Sequence, residues 1–507
     1  MIPRIPRFTR ARRGADRPKP PGFDRRLIAP MVLGSVLNPV NSSMIAVALV
    51  PIGTAFGASP ARTVWLVSAL YLATAVGQPV IGRLVDMYGP RRLYLVGTSM
   101  VGVAGLLGAL APSLGALIGA RVLLGFGTSA AYPASMQLTR REAERTGQDS
   151  PAGVLTALAV ANQTVAVVGP ALGGLLIGAG GWRAVFTVNV PLSAACLVLG
   201  SLRLPREPRA CGRSRRDVDL PGMVLFAAML VALMLFLMAP RADHWYLPVL
   251  AAGAAAAFAL RELRTARPFV DLRVLGGNAP LLVTYLRQFL GYATSYAFMY
   301  GYTQWLEQGR GLDASTAGLV LLPLSATALG VSTLTGRREA VRTKLVAGAC
   351  VQIAACAFLL LVGSGSGLWT LLVAGVVMGV PQGLIGLANQ NALYRQADPA
   401  RIASAAGLLR TFMYLGALGA SAATAGFFPH RADTAGLHGL ALVMLAGSTL
   451  LLATVLPDRS LRGLTLPAAG APALPEPRPP QSQRASGTPR QPQEAPESQD
   501  SRGTRKA

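Results

Sequence analysis

The chain has 507 residues, is 52% hydrophobic and carries a formal net charge of +25. Its apolar residues fall into fourteen runs, most of them apolar all round, which excludes a soluble globular protein. Nine Lys or Arg lie in residues 1–26 and eight in 457–507, and most of the rest lie between the runs; this suits membrane topology and anionic headgroups rather than a groove for nucleic acid.

Residues 1–27 form a basic tail without the features of a signal peptide. The runs follow at 28–50, 63–82, 92–111, 113–137, 152–178, 184–202, 220–239, 246–263, 280–300, 316–335, 344–362, 368–388, 402–428 and 437–456. Each has the length that a helix needs to cross a hydrocarbon core about 30 Å thick. Helices satisfy their own backbone groups in lipid, and the alternation of a membrane barrel is absent. The connections after even-numbered runs carry 22 Lys or Arg, and those after odd-numbered runs carry five: Arg62, Arg183, Arg241, Arg310 and Arg431. Positive charge stays on the cytoplasmic side. The expectation is a multi-pass protein of the cell (inner or plasma) membrane with both termini in the cytoplasm. The basic loop 203–219 divides the first six spans from the rest, and 457–507, rich in Pro, Gln, Ser, Arg and Glu, reads as a disordered cytoplasmic tail.

Three segments carry mechanism. Between spans 2 and 3, Gly82 and Gly89 permit a tight turn, Asp86 can accept hydrogen bonds from helix amides, and Arg91 and Arg92 hold the loop inside, which suggests a conformational latch. In span 5, Gly169, Pro170, Gly173 and Gly174 place a kinking proline and small residues together as a hinge. In span 4, Arg121 lies about 12 Å from the outer end and needs an interior partner. Glycines of span 3 (Gly97, Gly102, Gly105, Gly108) and the pairs Gly169/Gly173 and Gly174/Gly178 read as helix-packing surface.

In this order the three segments resemble the signatures of the major facilitator superfamily. Gly82, Leu84, Asp86, Gly89 and Arg91 match the span 2–3 signature, with Met87 and Pro90 departing from it. Gly169, Pro170, Gly173 and Gly174 match the antiporter signature, with Val165 in place of a Gly. Arg121, Gly125 and Gly127 match span 4, with Leu124 in place of a Gln. Trp182, Arg183, Phe186, Asn189 and Pro191 resemble the fourteen-span drug:proton antiporter (multidrug efflux) branch. The resemblance implies an all-α membrane protein: a six-helix bundle over 28–202, two inserted helices over 220–263 and a second six-helix bundle over 264–456, rocking about a central cavity.

That branch usually carries Asp early in span 1, where this chain has Asn41. Every one of the 22 acids falls in a tail, a connection or a span end, leaving three charges inside spans: Arg121, Arg287 and Arg410. Arg287 and Arg410 either snorkel to headgroups or face a cavity for an anionic substrate. Tyr285, Phe289, Tyr292, Tyr296 and Tyr300 fall on one face of span 9 and suit either a polyspecific cavity or helix packing with an interfacial belt, Trp305 following just outside. Asn41, Gln78, Asn162, Gln163, Tyr292, Tyr296 and Tyr300 are the candidate cavity residues.

The reading is a secondary active transporter exporting small amphipathic molecules or drugs, with the proton gradient as driving force by resemblance. The alternatives are an uptake or anion-type facilitator without proton coupling, and a non-transporting membrane receptor or scaffold. No catalytic grouping, metal site, nucleotide loop or cofactor is expected. The expected partners are a small-molecule substrate and the lipid bilayer, not nucleic acid, and the expected state is a monomer.

Overall fold

A computed structural model describes residues 23–58, 60–63, 65–146, 152–206, 219–238, 242–265, 268–270, 272–312, 314–336, 340–428 and 431–464. The described residues are helical almost throughout. The long helices are α1 (Ile28–Phe56), α2 (Trp65–Tyr88), α3 (Pro90–Ala109), α4 (Leu114–Thr146, broken by a turn at Ser129–Ala130), α5 (Ala152–Gly180), α6 (Ala184–Arg203), α7 (Leu220–Met238), α8 (Tyr246–Arg264), α9 (Ala279–Gln304), α10 (Ala314–Gly336), α11 (Val341–Leu359), α12 (Leu368–Gln396), α13 (Ile402–Phe427) and α14 (Thr434–Val455). By length and composition, twelve candidate spans among the described residues suffice to cross a membrane. The other two expected runs are held by the 29-residue α5 and the 26-residue α9, so fourteen crossings are compatible with this arrangement.

In the first bundle α1 lies on α5, and α3 lies between α4 and α6. In the second, α9 packs on α13 and α14, and α12 on α10 and α11. The bundles meet where α2 and the second half of α4 face α13, and where α5 faces α10; α7 and α8 pair with each other, and α7 rests on the α2–α13 seam. Phe226, Phe258 and Phe269 hold that hairpin together with ring centroids 5.4–6.4 Å apart. Among the described residues, Arg91 bonds to the end of α6, Arg83 to Pro268, Asp86 to the start of α13 and Tyr394 to Thr139, which brings the ends of α2, α4, α6 and α12 and the start of α13 together at one end, called here the Arg-rich end.

Glycine sets the close approaches, as small residues do where lipid offers no hydrophobic drive. A Cβ on Gly97 would meet Gly127 and Ala130 of α4, one on Gly102 would meet Ser193, and those on Gly105 and Gly108 would meet Phe186. Gly174 and Gly178 differ: among the described residues nothing lies within 4 Å of a Cβ at either, so neither makes a close helix contact there.

Four expectations need correction. The connection after α2 is no loop. α2 runs through Asp86 to Tyr88, Gly89 alone makes the turn at φ +92°, and Pro90 opens α3. Gly82 is therefore inside a helix and serves contact, not turning. Trp305 is fully buried in a π-helical turn against Tyr302 and donates to Thr434 Oγ1 (3.2 Å), so it belongs to the core and not to an interfacial belt. Residues 457–464 belong to the folded body: Leu461 is buried with Leu451 and Val455, and Asp458 is an ion-pair partner. The disorder expected of the rest of that tail lies outside the described residues. Finally, Asp86 and Glu142, expected in connections, are buried near the ends of α2 and α4, because two α13 amides bond to the first and Arg145 to the second.

Candidate functional site

The two bundles are joined at the Arg-rich end by Asp86. A helix leaves its first amides without intrahelical partners and presents the positive end of its dipole. Asp86, on the last turn of α2, fills that role for α13 of the other bundle. Its carboxylate accepts from Ala403 N (3.1 Å), from Ser404 N (2.8 Å) and from the Ser404 hydroxyl. Glycine makes the approach possible. A Cβ on Gly82 would stand 2.5 Å from the Ala403 carbonyl oxygen, and one on Gly407 would strike the Gln78 backbone. Further bonds cross the same seam: Thr411 Oγ1 to Ala75 O (2.8 Å), Tyr414 OH to Asn38 Oδ1 (3.2 Å) and Tyr394 OH to Thr139 O (3.4 Å). Arg91 does not touch this contact; it donates to Ser201 O (2.8 Å) at the end of α6, and Arg92 is exposed.

Gly82→Val places two methyl groups where the Ala403 carbonyl lies. We expect it to hold the Arg-rich end ajar. In a chain whose native cysteines are replaced and which carries Ala405→Cys, labelling by a membrane-impermeant maleimide should rise several-fold over the Gly82 parent; unchanged labelling would refute the close-approach role.

The three intramembrane arginines separate. Arg121 is 1% exposed; its Nε donates to Leu66 O (2.9 Å) and its two terminal nitrogens to Asn41 O (3.3 Å each). Asn41 is not a cavity residue. Its amide and that of Asn189 bond reciprocally (2.6 and 2.9 Å), which locks α1 to α6 and fixes the carbonyl that holds Arg121. Arg287 neither snorkels nor faces a cavity: at 0% exposure it pairs with Asp458 (2.6 Å) at the end of α14. Burial pushes the Asp458 carboxyl up, but hydrogen bonds from Ser460 and Arg287 outweigh it and hold the group below the ordinary carboxylate range. Arg410 does reach the space between bundles, with its guanidinium 4.1 Å from the Tyr132 ring centre.

Around Arg410 lies a seam of tyrosines. Tyr292, Tyr296 and Tyr300 follow one another on α9 at 6.0 and 5.6 Å, and Tyr71 of α2 lies 5.7 Å from Tyr414 of α13. Sequence reasoning found the α9 stripe but missed Tyr71, Tyr132 and Tyr414, which form no stripe on their three helices and gather through tertiary packing alone. Tyr285, from the same stripe, is instead stacked on Phe412 (5.3 Å). Gln78 is buried at the seam, and no partner among the described residues reaches its Oε1. Asn162 turns back to Leu158 O of its own helix (2.7 Å), and Gln163 is half-buried on α5. In the expected hinge, Cβ atoms at Gly169 and Gly173 would strike Ser43 and Met44 of α1, whereas Gly174 faces away from that contact. α5 passes through Pro170 without interruption, and Gly169 and Gly173 form a close-packed face on α1 in which Gly174 takes no part.

Comparison with known proteins agrees with this architecture. The profile of the Major Facilitator Superfamily matches residues 31–421. The Bacillus subtilis (strain 168) protein named Uncharacterized MFS-type transporter YwoD is 31% identical over 436 residues, spanning 83% of this chain and 94% of that one. The Lincomycin resistance protein of Streptomyces lincolnensis is 29% identical over 449 residues, 84% of this chain and 90% of that one. Among solved structures, the human organic anion transporter MFSD10 (TETRAN) shares the fold with a TM-score of 0.60 at 17% identity, covering 85% of this chain and 100% of that one. Two helical bundles joined through Asp86, together with these matches, make this chain a membrane transporter protein of the Major Facilitator Superfamily.

Proposed function

We propose that the chain is a secondary active exporter of small amphipathic molecules, drugs and antibiotics among them, working by alternating access and driven by the proton gradient. The observation that carries this reading is the Asp86 carboxylate of one bundle capping the first turn of α13 in the other. Such a contact must break when the bundles rock apart. In this reading the Arg-rich end faces the cytoplasm, both termini lie there, and the arrangement described is the state sealed on that side. The tyrosine seam offers apolar rings with hydroxyl handles, which suits ligands of mixed character. The name of the lincomycin resistance relative supports an antibiotic cargo. In proteoliposomes with an imposed pH gradient, addition of a transported dye should move protons across the membrane; dye flux without proton movement would remove the coupling.

A second reading, an anion carrier without coupling, is favoured by Arg410, which reaches the seam with no carboxylate bonded to it among the described residues. It predicts that Arg410→Gln lowers flux of a lipophilic anionic dye about tenfold, roughly 1.4 kcal/mol, and spares a lipophilic cationic one. Equal effects on both dyes would leave only the exporter reading.

A further inference from the structure

The inserted hairpin α7–α8 carries two carboxyl groups that face each other in the protein interior. Asp219 caps α7, accepting from Gly222 N (3.1 Å) and from Arg261 Nε and its terminal nitrogen (2.9 and 2.8 Å), all on one oxygen, Oδ1. Glu262, on the last turn of α8, accepts from Val270 N through Oε2 (3.1 Å). The second oxygens, Asp219 Oδ2 and Glu262 Oε1, are buried, and among the described residues no donor reaches either of them. The Asp219 side chain and Glu262 are each 2% exposed, and the two carboxyls approach to hydrogen-bonding range. Gly222 leaves the room for this: a Cβ there would collide with both free oxygens.

Two acceptors cannot bond to one another, and two charges this close, out of water, cannot both persist where Arg261 alone among the described residues is bonded to one of them. A proton is the ligand that completes the site. It would turn one facing oxygen into a donor and leave one negative charge for Arg261. We propose that Asp219 and Glu262 together bind one proton, and that this site sets whether the hairpin holds the latch closed.

The route to the latch is short. Glu262 holds Val270, and Phe269 packs on Phe226 and Phe258 of the hairpin. Arg83, three residues before Asp86, reaches Pro268 O (3.4 Å) at the start of the same segment. Phe269, Val270, Pro79 and Ser404 line one pocket, so the segment wedges against both sides of the latch. Among the described residues, the charged groups around it are Arg261 on α8, Arg83 and Asp86 on α2 and Asp398 and Arg401 before α13, with Arg264 and Arg273 exposed. Loss of the proton sets the two carboxylates against each other, and Glu262 is the freer to withdraw, releasing Val270.

The use of this site in transport rests on the proton-coupled reading, but the site itself is tested without any transported molecule. In full-length protein in nanodiscs, titrated between about pH 5 and pH 9 by infrared difference spectroscopy, wild type should show one protonated carboxyl per molecule that Asp219→Asn and Glu262→Gln lack. Glu262→Gln keeps shape and supplies a permanent donor to Asp219, so it serves where Asp219→Asn fails to fold. With the Ala405→Cys reporter, labelling should vary several-fold with pH in wild type and stay flat in Glu262→Gln. Equal carboxyl counts in wild type and Glu262→Gln would overturn the proton site; equal counts being excluded, a full pH response in Glu262→Gln would overturn its link to the latch.

Discussion

Asp86→Ala should open the Arg-rich end and collapse transport while leaving the protein inserted and folded. The substitution removes the acceptor for two α13 amides and one hydroxyl. Hydrogen bonds to a charged group contribute about 1.5–3 kcal/mol each. Water would take over some of them once the seam parts, so the net bias toward the closed state is about 2 kcal/mol, roughly a 30-fold shift in the open-to-closed ratio. Labelling of Ala405→Cys reads that shift directly, and dye flux reads its consequence. Asp86→Asn retains one acceptor oxygen and loses the charge, so its effect should fall between. Wild-type flux and unchanged labelling in Asp86→Ala would dispose of the latch.

The largest stability effect is expected at the other end of the second bundle's sequence. Asp458→Ala leaves the Arg287 guanidinium at 0% exposure without its counter-charge. Breaking a buried pair from one side costs about 3–5 kcal/mol, whereas replacing both partners by apolar residues is often neutral. Thermal unfolding in detergent should therefore drop sharply for Asp458→Ala and recover in Arg287→Met/Asp458→Leu; equal losses in both would mean that the pair is not what holds α14 to α9. The sign of the pH dependence follows. Asp458 titrates below its ordinary value of about 3.9, so its contribution is complete above that value and is lost as the pH falls through the lower, folded-state value.

The spans were legible because bilayer thickness and arginine placement constrain them more tightly than any propensity does. Asp86 and Gly82 were legible as a motif, but the partner was not, since Ser404 lies more than 300 residues away and only the fold brings it near. The same holds for Asn41 and Asn189, 148 residues apart, whose reciprocal amides answer what replaced the usual acid of span 1. Asp219 and Glu262 looked like ordinary span-end acids, because a carboxyl just past an apolar run reads as solvated until a second helix covers it. Asp458 was hidden by its setting at the start of a polar tail, and Gly174 by a motif that says nothing about which face each glycine takes.

The turn between α2 and α3 is a single residue, Gly89, whose amide still bonds back to Val85 O (2.8 Å). Such a joint has no slack. A tilt of α3 with its neighbours is delivered to the end of α2 undamped, as a crank turns its shaft. Lengthening that joint by a few flexible residues would leave both helices intact and uncouple them, so this is the place in the molecule where an insertion does most harm for least disruption.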